Sequence, residues 1–330
     1  MSDQRTPRAG LTSLELRLDA WAHRRTAAAG ADAGPLRRAG IEFLVFTLKQ
    51  AWACVFGAAM LVLIVLARML YPDDALLARA DVLVIAAVLL QAAMVLFRLE
   101  SGRELWVIVL FHLVGTVMEV FKTHVGSWQY EGEGVLRIGA VPLYTGFMYA
   151  AVGSYMVRVF RLFDLRFRHY PPLWATIPLA AAIYANFFSH HYLPDVRWVL
   201  LALVGVLFAR CTMHFRNQRT SPRRRMPVLM AFVGVAFFLW LAENIGTAAG
   251  AWIYPQQAGS WELVPLSKLV AWLLLMMISV VLVTVVYRPR APDLEDPTPG
   301  TADALLTGSR RRDPSPRAAS AAPRPTRPAR

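Results

Sequence analysis

With 330 residues, of which 56% are hydrophobic and 17% charged, and a mean hydropathy of +0.42, the chain is too apolar for a soluble globule of this size and reads as a polytopic membrane protein. Its formal net charge of +13 does not point to nucleic acid, because the Lys and Arg residues gather in alternate loops rather than on one surface. Cys54 and Cys211 both fall in apolar stretches, so they offer no extracellular disulfide framework and are expected to be packing residues.

Residues 1–40 form an expected cytoplasmic segment with one helix, in which Leu11, Leu14, Leu18 and Trp21 recur at helical spacing and Thr12 with Glu15 reads as a capping box. Arg17, Arg24 and Arg25 on the other side suit either an amphipathic helix on the inner membrane surface or a solvated basic tail. No cleavable signal peptide is visible, since the first apolar run starts at residue 43 and is long enough to remain as a span. Eight apolar stretches then lie at 43–69, 81–97, 104–121, 141–160, 173–189, 196–215, 226–245 and 266–287. Each can cross about 30 Å of hydrocarbon at about 1.5 Å per residue. Lys49, near the start of the first, is expected to snorkel to the inner surface. Basic residues cluster before the first stretch and after the fourth, sixth and last, whereas 246–265 contains none. The positive-inside rule then predicts a multi-pass protein of the bacterial inner membrane with both termini cytoplasmic. From residue 290 onward Pro, Ala and Arg dominate, and a disordered cytoplasmic tail is expected over 290–330.

A polar pattern occurs twice within the apolar domain 41–289. Glu119, Gly126, Trp128, Tyr130 and Val141-Pro142-Leu143 are matched by Glu243, Gly250, Trp252, Tyr254 and Val264-Pro265-Leu266. A shorter echo, Tyr71-Pro72-Asp73 against Tyr192-Leu193-Pro194-Asp195, precedes each copy. The chain therefore reads as a duplicated unit. The predicted fold is an all-α transmembrane bundle of about eight spans, built as two parallel four-helix repeats at 41–165 and 170–289. In each repeat the Glu lies near the outer end of the third span, the Gly-x-Trp-x-Tyr forms the external turn, and Pro opens the fourth, where a missing N–H costs nothing.

Carboxylates near lipid are costly unless paired or protonated, so Glu119 and Glu243 are the first catalytic candidates. Lys122, one turn after Glu119, is expected to pair with it and keep it ionised, whereas the matching position in the second copy is Gly246. Glu243, with Asn244 and Thr247 beside it, then becomes the expected protonated general acid. The bland reading is that both carboxylates merely terminate helices at the interface. Trp128, Tyr130, Asn244, Trp252 and Tyr254 are candidate substrate contacts, although Trp and Tyr also serve as interfacial anchors. His112, seven residues before Glu119, is a candidate relay or a buried hydrogen-bonded histidine. His124, His190, His191 and Asp195 are weak metal candidates; their spacing is not that of a metal motif, and no metal is assigned. With no Walker loop, dinucleotide fingerprint, HExxH or paired CxxC, no cofactor is expected.

The stretches FHLVGTVMEVFKTHVGSWQY, VPLYTGFMYAAVGSY, YPPLWATIPLAAAIYANFFSHHYLPD and LAENIGTAAGAWIYP resemble a bacterial integral-membrane family known as domain of unknown function 817, across nearly all of 41–289. The resemblance implies the membrane architecture and no particular activity. The tandem Glu, Gly-x-Trp-x-Tyr and Pro layout also resembles membrane carotenoid cyclases and hydratases, which are thought to protonate a polyene from a carboxylic acid. That likeness implies Glu119 and Glu243 as acids and Trp128 and Trp252 as rings facing a carbocation. The chain departs from the cyclase pattern after the prolines, where Leu143-Tyr144 and Leu266-Ser267 replace an acidic pair. The expected partners are thus the bilayer and an apolar lipid or isoprenoid ligand, with no nucleic acid. The best expectation is a membrane-embedded acid–base enzyme, and the alternative is a small-solute transporter or a non-catalytic scaffold.

Overall fold

The computed structural model describes residues 11–28, 34–72, 74–100, 102–130, 132–218 and 221–292. The expected disordered tail beyond residue 292 and Asp73 of the shorter echo lie outside them. The described residues form α1 (Ser13–Ala28), α2 (Pro35–Ala53), α3 (Val55–Leu70), α4 (Arg79–Leu96), α5 (Gly102–His124), β1 (Arg137–Ile138), β2 (Val141–Pro142), α6 (Tyr144–Leu162), β3 (Arg166–Arg168), α7 (Leu173–Ser189), α8 (Arg197–Phe208), β4 (Thr212–Phe215), β5 (Arg224–Pro227), α9 (Val228–Ala248) and α10 (Lys268–Val286).

The chain is mostly helical, and α4, α5, α9 and α10 are long and apolar enough to cross a bilayer. The expected first span, 43–69, is broken: α2 and α3 meet at Cys54 with a bend of 66° and count together as a fifth candidate. Cys54 is accordingly an exposed residue at the break and not a packing residue inside a span, whereas Cys211 is buried. The expected sixth span, 196–215, is helical only to Phe208 and then turns into a strand. The reason is local: β3, β4 and β5 form an antiparallel sheet with Arg166 opposite His214 and His214 opposite Arg225. Short arginine-rich strands of this kind carry no apolar alternation for a sequence reading to detect.

Close helix packing sets the position of the later site. A Cβ added at Gly115 of α5 would lie 2.3 Å from the Tyr149 ring of α6, and one at Gly146 would lie 2.4 Å from His112. Small residues thus let α5 and α6 approach each other, as in membrane helix pairs generally.

The opposite end of the bundle from the Glu motif holds a buried ionic cluster. The Thr12–Glu15 capping box forms, with the Thr12 N–H donating to Glu15 at 2.8 Å and the Glu15 N–H to Thr12 at 3.3 Å. Glu15 does more than cap: it accepts from Arg161 at 2.6 Å, and Arg161 also pairs with Glu104 at 2.9 Å. Arg158 pairs with Glu104 at 3.1 Å. Lys49 is 1% exposed and paired with Asp19 of α1 at 2.8 Å, so it does not snorkel to the inner surface. Helix α1 supplies a nearby acid, which removes the need to reach water.

Candidate functional site

Each copy of the Glu motif ends its helix in the same way. Gly126, at φ +72°, follows α5, and Gly250, at φ +65°, follows α9. The Ser127 N–H reaches the Lys122 carbonyl at 2.9 Å and the Gly126 N–H reaches Thr123 at 3.1 Å; Ala251 to Gly246 and Gly250 to Thr247 repeat the pair at 3.0 and 2.9 Å. This is a Schellman cap, whose left-handed residue is most easily glycine. The chain reverses there and lays the following aromatic residues back over the helix, Trp128 and Tyr130 onto Glu119, Tyr254 onto Glu243 and Trp252 onto Gly246. The two turns then pair with each other, Gln129 and Ile253 exchanging N–H to O bonds of 2.9 Å.

Glu119 is 3% exposed and accepts three bonds: from Trp128 Nε1 at 2.8 Å, the Tyr130 hydroxyl at 2.6 Å and the Tyr149 hydroxyl at 2.7 Å. Glu243 is 4% exposed and accepts from the Tyr254 hydroxyl and from Trp272 Nε1, the latter at 2.7 Å. Burial, with the adjoining carboxylate, pushes the Tyr130 and Tyr254 phenols well above their ordinary range, so both remain donors at neutral pH. Tyr149 and Tyr254 each interact electrostatically with both Glu119 and Glu243, so the two carboxylates converge on one region.

Tyr149 and Trp272 were not among the sequence candidates. Each lies seven residues after the proline of its copy, Pro142 or Pro265, and that shared offset is the signal that finds them. Lys268 was also missed. Its Nζ lies 4.0 Å from the centre of the Tyr254 ring, and it interacts electrostatically with Glu243. Glu243 therefore has a cation that its sequence neighbours did not reveal.

Lys122 does not pair with Glu119. Its ammonium lies 3.0 Å from His191 Nε2 and 3.4 Å from His190 Nε2. The carboxylate is turned inward by its three aromatic donors and the lysine outward to α7. At Gly246, where the first copy has Lys122, a Cβ would meet the Trp252 ring at 2.4 Å; the indole takes the place of a side chain. Trp252 consequently does not reach Glu243 as Trp128 reaches Glu119, and Trp272 supplies the indole N–H instead.

Other candidates lie elsewhere. His112 packs edge-on against Phe147, with ring centres 4.8 Å apart, and does not reach either carboxylate. Asn244 is occupied by backbone: its amide donates to the Trp240 carbonyl at 2.8 Å and accepts from the Val264 N–H at 2.9 Å, fixing the second Val-Pro-Leu segment. His124 is exposed and does not join His190 and His191. Asp195 is held by Arg197 and Asn186, which with the bonded backbone keep its carboxyl below the usual range despite partial burial. No group of three or more His, Cys, Asp or Glu among the described residues is arranged to hold a metal ion.

Both carboxylates open onto a cavity of about 1230 Å³. Its wall draws on α2, α3, α5 and α6 from one half of the chain and α7, α9 and α10 from the other, and it is mainly apolar and methionine-rich, including Met60, Met148, Met156 and Met276. A mostly apolar cavity with a few convergent polar groups is the usual form of a small-molecule site.

The family model described as "Protein of unknown function (DUF817)" matches residues 42–280. Among curated proteins, the chain is 42% identical over 246 residues to the "Uncharacterized protein YoaT" of Bacillus subtilis (strain 168), covering 74% of this chain and 92% of that protein. No solved structure matches the chain. On the family match and this relative together, the chain belongs to the DUF817 family.

Proposed function

We propose that this protein is a membrane-embedded acid–base enzyme acting on an apolar, isoprenoid-type substrate held between two parallel four-helix repeats. The observation that carries the reading is the convergence of Glu119 and Glu243, each held by aromatic donors, on one large apolar cavity. The repeats are 41–165 and 170–289, the first holding the bent α2–α3 pair, α4, α5 and α6 and the second α7, α8, α9 and α10. Support comes from the matched caps, the mutual bond of the two turns and the equivalent donors Tyr149 and Trp272. Both termini are cytoplasmic in the inner membrane, and both Glu residues face its outer side, consistent with the distribution of Lys and Arg.

The roles expected from Lys122 and Gly246 are reversed. Glu243 lies in the field of Lys268 and is the fixed carboxylate, able to receive a proton. Glu119 has only neutral donors and is the acid. It transfers its proton to a substrate double bond, and the Trp128, Tyr130 and Tyr149 donors stabilise the carboxylate left behind. The resulting cation faces the aromatic rings and is quenched by proton loss to Glu243 or by water. The test is a comparison of lipid extracts from cells expressing wild type and Glu119→Gln, with the variant shown to be folded by its elution from detergent. A product present only with wild type is expected; identical extracts overturn the proposal. The position of the cavity between two halves also suits a small-solute transporter, and solute flux into liposomes that persists in Glu119→Gln would favour that reading.

A further inference from the structure

At the carboxylate end, the cavity wall carries Lys122, Arg197 and Lys268 together with His190. Two of these cations have acidic partners: Arg197 pairs with Asp195, and Lys268 interacts with Glu243. Lys122 is different. It is 5% exposed, it forms no ion pair among the described residues, and its close polar neighbours are the imidazoles of His190 and His191. The His190 Nδ1–H donates to the Asn186 carbonyl at 2.8 Å, leaving its Nε2 lone pair toward the ammonium. Partial burial, with Lys122 adding to it, pushes both imidazoles below their ordinary range and keeps them neutral near pH 7.

An ammonium buried against neutral acceptors, repelled by Lys268 and Arg197 and offset only by the Asp195 carboxylate that Arg197 already holds, is a costly arrangement for a protein to maintain. An anion lying between the three would relieve it. The rest of the wall is mainly apolar and includes Met118, Phe187, Met148 and Met156. The second copy has no equivalent, because Gly246 is covered by Trp252. The charge asymmetry between copies thus makes one head-binding position per chain.

We infer that the ligand of this cavity is an amphiphile with a phosphate-type anionic head on Lys122, Arg197 and Lys268 and an apolar tail lying along the cavity. The inference rests on the proposed reading of the cavity as the substrate site and names the class of substrate. Such a head occurs both on isoprenoid phosphates and on membrane phospholipids. The test uses the full chain in neutral detergent, with binding read from tryptophan fluorescence. The probes are geranylgeranyl diphosphate, the uncharged alcohol geranylgeraniol, inorganic pyrophosphate and phosphatidylglycerol.

Geranylgeranyl diphosphate is expected to bind at least about tenfold more tightly than the alcohol or pyrophosphate, because head and tail are both read. Lys122→Gln is expected to abolish about tenfold of that affinity and to leave geranylgeraniol unchanged; Arg197→Gln, at a less buried position, provides the same reading if Lys122→Gln fails to fold. Competition by phosphatidylglycerol at equal concentration assigns the head to a bilayer lipid, and its absence assigns it to an isoprenoid phosphate. Equal affinity for alcohol and diphosphate, pyrophosphate binding as tight as the diphosphate, or indifference to both substitutions overturns the inference. Turnover of a neutral polyene without binding of the diphosphate sinks this inference alone, whereas binding without any Glu119-dependent product sinks the acid–base reading alone.

Discussion

The molecule buries charge at both ends and handles it in opposite ways. In the Glu15, Glu104, Arg158 and Arg161 cluster, each carboxylate faces a guanidinium, and helix α1 is held to the bundle by the result. At the other end Glu119 is surrounded by neutral indole and phenol donors, while Lys122 nearby is left with neutral imidazoles. Charges matched in pairs stabilise a fold and do little else. Charges held apart by dipoles remain available to a proton or a ligand, and on that contrast we propose chemistry at the Glu motif.

The contrast breaks most visibly at Arg161. Arg161→Leu leaves buried Glu15 without its guanidinium and takes from Glu104 one of two, Arg158 remaining, and is expected to cost about 3–5 kcal/mol, lowering the thermal unfolding temperature and loosening α1. Limited proteolysis near residue 28 reports the latter; unchanged protection would place α1 outside the stable unit. Gly246→Ala comes next, at about 1–3 kcal/mol, because the new methyl drives into the Trp252 ring. Gly126→Ala, strained only by its positive φ, is expected to cost about 1–2 kcal/mol in the same unfolding measurement.

Tyr149→Phe and Trp272→Phe sharpen the equivalence of the two copies. Each removes one donor from one carboxylate and is expected to cost about 0.5–1.5 kcal/mol. A near-zero effect at one and a large effect at the other would show that only one copy is preorganised. The smallest effect is a pH dependence. His190 and His191 titrate below the ordinary 6.5 in the folded protein, through partial burial and then Lys122, so the unfolded chain binds more protons between the two values. Their contribution to stability is therefore present above pH 6.5 and lost as pH falls through the lower folded values. A double His190→Gln, His191→Gln variant is expected to show a flatter unfolding temperature below pH 6.5 than wild type.

Much of this was legible in the sequence where the signal was local. The repeated Glu, Gly, Trp and Tyr spacing located both helix caps, both carboxylates and three of their five donors, because a Schellman turn fixes which residue folds back over which. The Thr12–Glu15 capping box was equally local. Contacts between elements distant in the chain were not readable. Lys122 shares a helix face with Glu119 by spacing, yet its partners lie 68 and 69 residues away on the far side of α7. Lys268 comes to Glu243 from the next helix, and Asp19 reaches Lys49 from α1. The bend at Cys54 has no proline or glycine at the break to announce it, and the arginine strands beside residues 164 and 216 lack an apolar period.

The most direct measurement is made on a Glu119→Gln, Glu243→Gln double variant beside wild type, recording lipid products and unfolding temperature together. The expected result is complete loss of product with an intact folded protein, and a loss no greater than that of either single variant, since two groups acting on one proton cycle are not additive. Product formation undiminished in a folded double variant would contradict the assignment and leave the carboxylates as structural caps for the two turns.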